Sequence, residues 1–158
     1  MALIVLIAAG VTITDLLVKR IVESTLNDGR TITGPLIDLR LTYNTGVAFS
    51  LGAALPTWIV VAVTGAIIAV GTTYLLRRSG RLNIVATIGG AVILGGALGN
   101  LIDRIGGRGV VDYFHTGWFA TFNLADVFVT VGVVILVAGL WWGPRVVAER
   151  VSFVPESS

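Results

Sequence analysis

Three aspartates and two asparagines carry the chemistry this chain has to offer. Asn100 and Asp103 are three residues apart, and so are Asn123 and Asp126. Residues three apart on a helix share a face, so each Asn-x-x-Asp sets an amide beside a carboxylate. The first closes a very apolar segment, and the second opens the next. Asp112 lies in the connection between them. Carboxylates at a membrane edge are costly to place and are usually functional. Two close carboxylates resist double ionisation and share a proton. The ionised one takes a proton from water, and the protonated one donates to a peptide carbonyl. That is aspartic-protease chemistry, with neither metal nor cofactor. The duplicated spacing suggests Asp103 with Asp126 as the pair.

Other chemistries find little support. Cysteine is absent, which removes thiol catalysis, disulfides and Cys-based metal sites. His115 is the only histidine, whereas catalytic zinc sites mostly need two or three. It reads as an interfacial polar residue. No GxSxG supports a serine nucleophile. Lys19 is the only lysine, and no motif pairs it with a serine. The net charge is +2, and no basic stretch is long enough for nucleic acid. The glycine-aspartate motif of presenilin-type intramembrane proteases is missing.

The elements that must position these acids are membrane spans. Of the 158 residues, 55% are hydrophobic and 13% charged, too apolar for a soluble domain. A single polytopic domain over 1–158 is predicted, all-α in class. Its four transmembrane helices are expected at about 1–20, 57–76, 84–102 and 125–142. Thr57 to Leu76 alone gives twenty uncharged residues, enough to cross a hydrocarbon core of roughly 30 Å. A cleavable signal peptide is the alternative for the first run, but no positive segment precedes it. Asp15 and Lys19 are four apart, acid first, a favourable helix pair. They either stabilise the helix end or serve the site directly. Gly95-x-x-x-Gly99 suits close helix packing.

Between the first two spans, about 27–54, the character changes. Ile37-Asp-Leu-Arg-Leu-Thr-Tyr-Asn44 alternates strictly, which predicts a half-buried strand. Thr31-Ile32-Thr33 is a candidate partner. A small sheet on the membrane surface is therefore expected after helix 1. Asn44-Thr-Gly-Val-Ala-Phe-Ser50 follows, where Gly46 permits a bend or a close approach of backbone to ligand. The connection at about 103–123 contains Gly106, Gly107 and Gly109, then Asp112. Trp118, Phe119 and Phe122 suit the headgroup region. Arg77, Arg78 and Arg81 crowd one short connection, and Arg145 and Arg150 lie in the tail. Density of positive charge in short loops marks the cytoplasmic side. Both termini are expected there, with the strand region and Asp112 outside.

Taken in order, these stretches resemble the lipoprotein signal peptidase, or signal peptidase II, family. The resemblance rests on Asp15 and Lys19, then Asn44-Thr-Gly-Val-Ala-Phe49, Gly99-Asn-Leu-Ile-Asp-Arg104, Val110-Val-Asp-Tyr113 and Phe122-Asn-Leu-Ala-Asp126. Two neighbours depart from the usual pattern: Leu16, where many members have Gln, and Val127, where many have Ser or Thr. The resemblance implies an aspartic endopeptidase of the bacterial cytoplasmic membrane. Its substrates would be prolipoproteins carrying diacylglycerol on a cysteine, cut just before that cysteine. Beyond substrate and membrane lipid it implies no cofactor, and a monomer is expected. The sheet would be an extracytoplasmic cradle over substrate. The family's catalytic pair maps onto Asp112 and Asp126, not Asp103 and Asp126. Asp15, Lys19, Asn44, Gly46, Ala48, Phe49, Asn100, Asp103, Arg104, Asn123 and Ala125 become supporting or substrate-binding residues. A small proton-coupled transporter using the same acids is the alternative function. Against it, the acids gather at one membrane face rather than forming a chain across the bilayer.

Overall fold

A computed structural model describes residues 1–45 and 56–142. Gly46, Ala48 and Phe49, with Arg145 and Arg150, lie outside the described residues. Four helices are long and apolar enough to cross a membrane: α1 (Ala2–Leu26), α2 (Thr57–Arg78), α3 (Ile84–Ile105) and α4 (Leu124–Trp142). Strands β1 (Thr31–Ile32), β2 (Asp38–Asn44) and β3 (Val110–His115) form an antiparallel sheet in the order β1-β2-β3.

The bundle is built around α3. Half of its most apolar stretch is buried, against 17% for α2 and for α4. Small residues let all three neighbours approach it. A Cβ on Gly95 would meet Ala8 O of α1 at 2.7 Å, one on Gly96 would meet Ala125 O of α4 at 2.6 Å, and one on Gly90 would meet the Leu75 side chain of α2 at 2.8 Å. Small residues at such crossings replace the hydrophobic drive that lipid cannot supply. Asn83 ties one end of the bundle. Its Oδ1 accepts from Ala86 N at 2.8 Å as the α3 cap, and its Nδ2 donates to Gly139 O of α4.

Helix α1 turns one stripe inward: Ile4, Ala8, Thr12, Asp15, Lys19, Val22 and Leu26 are buried, at spacings of three and four. The stripe is apolar at both ends and polar in the middle. Its start joins Ile68, Leu75, Ala91 and Leu94 in one apolar cluster. Its end joins Val111 and Tyr113 beneath the sheet. The helix runs past Lys19-Arg20, where the apolar run stops. Its 25 residues span about 37 Å, more than the hydrocarbon core, so its last turns stand under the sheet.

The third strand was not expected. The connection after α3 was read as an apolar, glycine-rich loop, yet Val110–His115 pairs with β2. At its start Gly109 has φ +91, and a Cβ there would lie 2.8 Å from Asn44 O. Only glycine accepts both the conformation and the approach. Side chains alternate across a strand. Val111 and Tyr113 therefore pack on α1, while Asp112 points to the opposite face. Pairing of Leu39 with Phe114 but Thr42 with Asp112 sets two residues of β2, Arg40 and Leu41, against one of β3, Tyr113. This bulge breaks the strict alternation read from Ile37 to Asn44.

Candidate active site

Between the two apolar clusters lies one polar layer, and its centre is Lys19. The ammonium sits 2.7 Å from Asp15 Oδ2 and 2.8 Å from Asp103 Oδ2, and donates to Asn100 Oδ1 at 2.8 Å. Lys19 is 2% exposed and Asp15 is fully buried. A charge so placed persists only when paired and hydrogen-bonded. Gly99 makes the room: a Cβ there would collide with the Asp15 carboxylate. Of the two readings of Asp15 and Lys19, the geometry joins them to the acid cluster as well as to each other.

The Lys19 contact fixes Asn100. Its Oδ1 also accepts from Asn123 Nδ2 at 3.1 Å, so its Nδ2 must face the other way, toward Asp126 Oδ1 at 2.9 Å. A flipped amide would set NH2 against the ammonium. Orientation then passes to Asn123, whose Nδ2 also donates to Asp112 Oδ1 at 2.6 Å.

Asn123 and Asp126 make a reciprocal cap on α4. Asp126 N donates to Asn123 Oδ1 at 3.1 Å, and Asn123 N donates to Asp126 Oδ2 at 3.2 Å. This is the capping-box geometry with Asp in the third position. The remaining first-turn donors are met from afar. Leu124 N donates to Tyr113 Oη at 3.1 Å, and Ala125 N to Asp15 Oδ1 at 2.9 Å. Every early N–H of α4 thus has a partner, as a buried helix start requires. The two Asn-x-x-Asp segments share spacing but not role: one lies within the last turns of α3, the other caps α4.

Asp112 is delivered by the sheet. Backbone bonds between Phe114 and Phe122, at 2.8 and 3.1 Å, fold the chain back after β3 and bring Asn123 beside Asp112. Asp112 Oδ2 accepts from Asn44 Nδ2 at 3.1 Å, and the Thr42 hydroxyl donates to its carbonyl. Asp112 is 3% exposed. Burial pushes its carboxyl up to about 6; the Asn44 bond opposes this and the charge on Asp126 adds to it. Burial also raises the Tyr113 hydroxyl, which stays neutral as it accepts from Leu124 N.

Asp112 and Asp126 line one groove of 660 Å³, with Asn44, Asn100 and Arg104. Phe119 and Phe122 wall one side with the exposed Trp118, and Val127, Thr130 and Val131 of α4 wall the other. Asp103 does not line it. Its carboxylate is held by Lys19 and by Val111 N at 3.2 Å, where it locks the start of β3. Arg104 donates to Asn100 O at 3.3 Å and faces the groove. Ala125 is fully buried against Gly96, so its part is helix packing. His115 is outside the groove, with Nδ1 3.3 Å from Thr121 Oγ1.

Sequence reasoning missed Tyr113 as a helix cap, and Val127, Thr130 and Val131 as groove residues. The last three sit one, four and five positions after Asp126, a helical signal that was available.

The hub makes a direct prediction. Lys19→Met leaves the buried carboxylate of Asp15 and the partly buried one of Asp103 uncompensated and frees Asn100 to flip. Loss of one partner of a buried pair costs about 3–5 kcal/mol. Denaturant unfolding in detergent is expected to show a loss of that order; a loss below about 1 kcal/mol would mean the pair is not a structural centre.

A family model described as signal peptidase (SPase) II matches residues 7–142. A lipoprotein signal peptidase of Sinorhizobium fredii is 41% identical over 136 residues, 83% of this chain and 80% of its own length. One of Brucella ovis is 41% identical over 140 residues, 85% of this chain and 86% of its own. Among solved structures, a bacterial membrane enzyme determined by the in meso method at 2.3 Å superposes with a TM-score of 0.73 at 26% identity, over 89% of this chain and 88% of that one. A second, at 1.9 Å, gives 0.73 at 25% identity over 90% and 95%.

Proposed function

The chain belongs to the signal peptidase II family, a family of peptidases that process prolipoprotein signal peptides, and we propose that it works as an aspartic endopeptidase through Asp112 and Asp126. It removes the signal peptide of a diacylglyceryl-modified prolipoprotein by cutting before the lipidated cysteine. The observation that carries this reading is the shared groove. Asp112 and Asp126 line it together and are joined through Asn123, while Asp103 faces away, bound to Lys19.

The two carboxyls take different parts. Asp112, held up near 6 by burial, is the acid. Asp126 is the base, its two oxygens facing donors from Asn100 and from Asn123 N. Asp126 takes a proton from water as the water oxygen bonds to the scissile carbonyl carbon. Asp112 gives its proton to the carbonyl oxygen, forming a gem-diol. As the C–N bond breaks, Asp126 returns its proton to the leaving cysteine nitrogen, and Asp112 recovers its own from the diol. The pair ends as it began, and one water is consumed.

The test is release of signal peptide from a diacylglyceryl precursor by the purified protein, followed across pH. The acid form of Asp112 is present below its pKa and lost as pH rises through it. kcat/KM is therefore expected to fall along a limb near pH 6. Bound substrate displaces water, which favours the neutral acid, so the corresponding limb of kcat lies higher. Absence of cleavage, or a kcat/KM that climbs through pH 6 without a descending limb, would refute these roles.

We also propose that Arg77, Arg78 and Arg81 lie in the cytoplasm, with both termini, in a bacterial cell membrane. The sheet and the groove are then extracytoplasmic. The support is the arginine density in so short a connection. Gly80 is exposed with open space at its Cβ, and Asp28 is exposed near the other face. In intact cells an impermeant thiol reagent is expected to label Asp28→Cys and to spare Gly80→Cys. The reverse would invert the orientation.

A further inference from the structure

A second cleft, of 340 Å³, opens between α1 and α3 and is lined by a different set of residues from the groove. Arg20 and Arg108 stand at it with Glu23 and Tyr43, and Leu16 and Ile102 line it too. Most of its charge is internally satisfied. Arg108 Nη2 lies 3.1 Å from Glu23 Oε1, its guanidinium lies over the Tyr43 ring at 5.6 Å, and the Tyr43 hydroxyl donates to Glu23 Oε1 at 2.9 Å. Lys19 and Asp103, on its inner wall, hold each other. Arg20 is the exception: exposed, with no ion pair or hydrogen bond to any described residue. The cleft therefore offers one unspent guanidinium beside a second whose acid partner among the described residues is already shared with Tyr43.

Its depth says what kind of anion fits. Arg20 stands about 27 Å along α1 from Ala2, close to the thickness of a hydrocarbon core. Below it the surface is apolar and exposed: Ile13 is 57% exposed and Leu17 58% on α1, and Ile102 44% on α3. A positive cleft above bare aliphatic surface matches an amphiphile with an anionic head. A guanidinium fork matches phosphate oxygens, and aliphatic helix surface beside it matches acyl chains. We propose that this cleft binds an anionic phospholipid, its phosphodiester at Arg20 and Arg108 and its acyl chains along α1 and α3. The proposal rests on the four spans and does not depend on the peptidase reading.

The test titrates dioleoyl phosphatidylglycerol against the full chain in detergent micelles and reads thermal stabilisation. Dioleoyl phosphatidylcholine and soluble glycerol 3-phosphate run in parallel. Arg20→Gln removes no ion pair or hydrogen bond to a described residue, so it is expected to keep the fold. It is expected to weaken the phosphatidylglycerol effect about fivefold, the factor equivalent to about 1 kcal/mol for one exposed ion pair. Arg108→Gln is expected to weaken it at least as much, and Arg81→Gln, in the connection between α2 and α3, to leave it unchanged. Several outcomes would overturn the proposal: no stabilisation by phosphatidylglycerol, equal response in the parent and Arg20→Gln, or an equal loss in Arg81→Gln. Saturation by glycerol 3-phosphate alone would mark a free-phosphate site instead. Equal stabilisation by phosphatidylcholine would remove the requirement for an anion.

Discussion

At equal concentration, a precursor carrying diacylglycerol is expected to be cleaved about a hundredfold to ten-thousandfold faster than the same peptide without lipid, the range that linking two binding events provides. The groove explains why. Asp126 opens α4, and Val127, Thr130 and Val131 carry the groove wall one turn further along a helix apolar enough to lie in the bilayer. Trp118 and Phe119 stand across it, exposed on the loop that folds β3 back to α4. An acyl chain buries about 0.8 kcal/mol per methylene, and two chains fix the modified cysteine at the membrane face. On the proposed mechanism the scissile bond is then confined beside the acids rather than sampled from bulk water. An unmodified peptide must find the groove without that confinement. Equal rates for the two substrates, measured in the same micelles, would remove lipid anchoring from the mechanism.

Much of this architecture was legible in the sequence because a bilayer imposes length. A run of some twenty apolar residues has few other uses, so the four spans stood out. So did the acids, since charge is rare in such a chain. β2 was visible through its alternation, one face being greasy and one polar. β3 was not, and the reason is physical. Val110 to Tyr113 are all buried, with α1 beneath one face and the groove on the other. A strand covered on both faces loses the period-two signal. The bulge between Leu39 and Thr42 left no local mark either.

Long-range pairing was the second blind spot. Lys19 meets Asp103 across 84 positions of chain, and Asp15 caps Ala125 across 110. The i, i+4 rule found the Asp15–Lys19 contact, yet nothing local showed that the same ammonium orients Asn100. The repeated Asn-x-x-Asp hides a related difference. Equal spacing suggested equal roles, and so Asp103 with Asp126. One copy is a helix face and the other a helix cap, a difference set by where each helix begins and ends.

The assignment of Asp112 and Asp126 as the catalytic pair is tested by substitution at all three aspartates. Asn keeps the shape of Asp and one of its two accepting oxygens, but it sets an NH2 group toward the other donor and cannot exchange the proton. Asp112→Asn and Asp126→Asn are each expected to lose about a thousandfold or more in turnover, the scale of a lost general acid or base. Both should unfold within about 1–3 kcal/mol of the parent, the range for one donor left without its acceptor, since Asn at 112 can still accept from Asn123 and Asn at 126 from the Asn123 N–H. Asp103→Asn loses a partner of Lys19 rather than a reacting group. It is expected to keep measurable turnover and to show its effect mainly in stability. The decisive measurement is cleavage of a diacylglyceryl precursor by the three variants, with unfolding in detergent recorded beside it. The account predicts two folded, inactive proteins and one active, less stable one. Substantial turnover by Asp112→Asn, with none by a well-folded Asp103→Asn, would contradict it and return catalysis to Asp103 and Asp126.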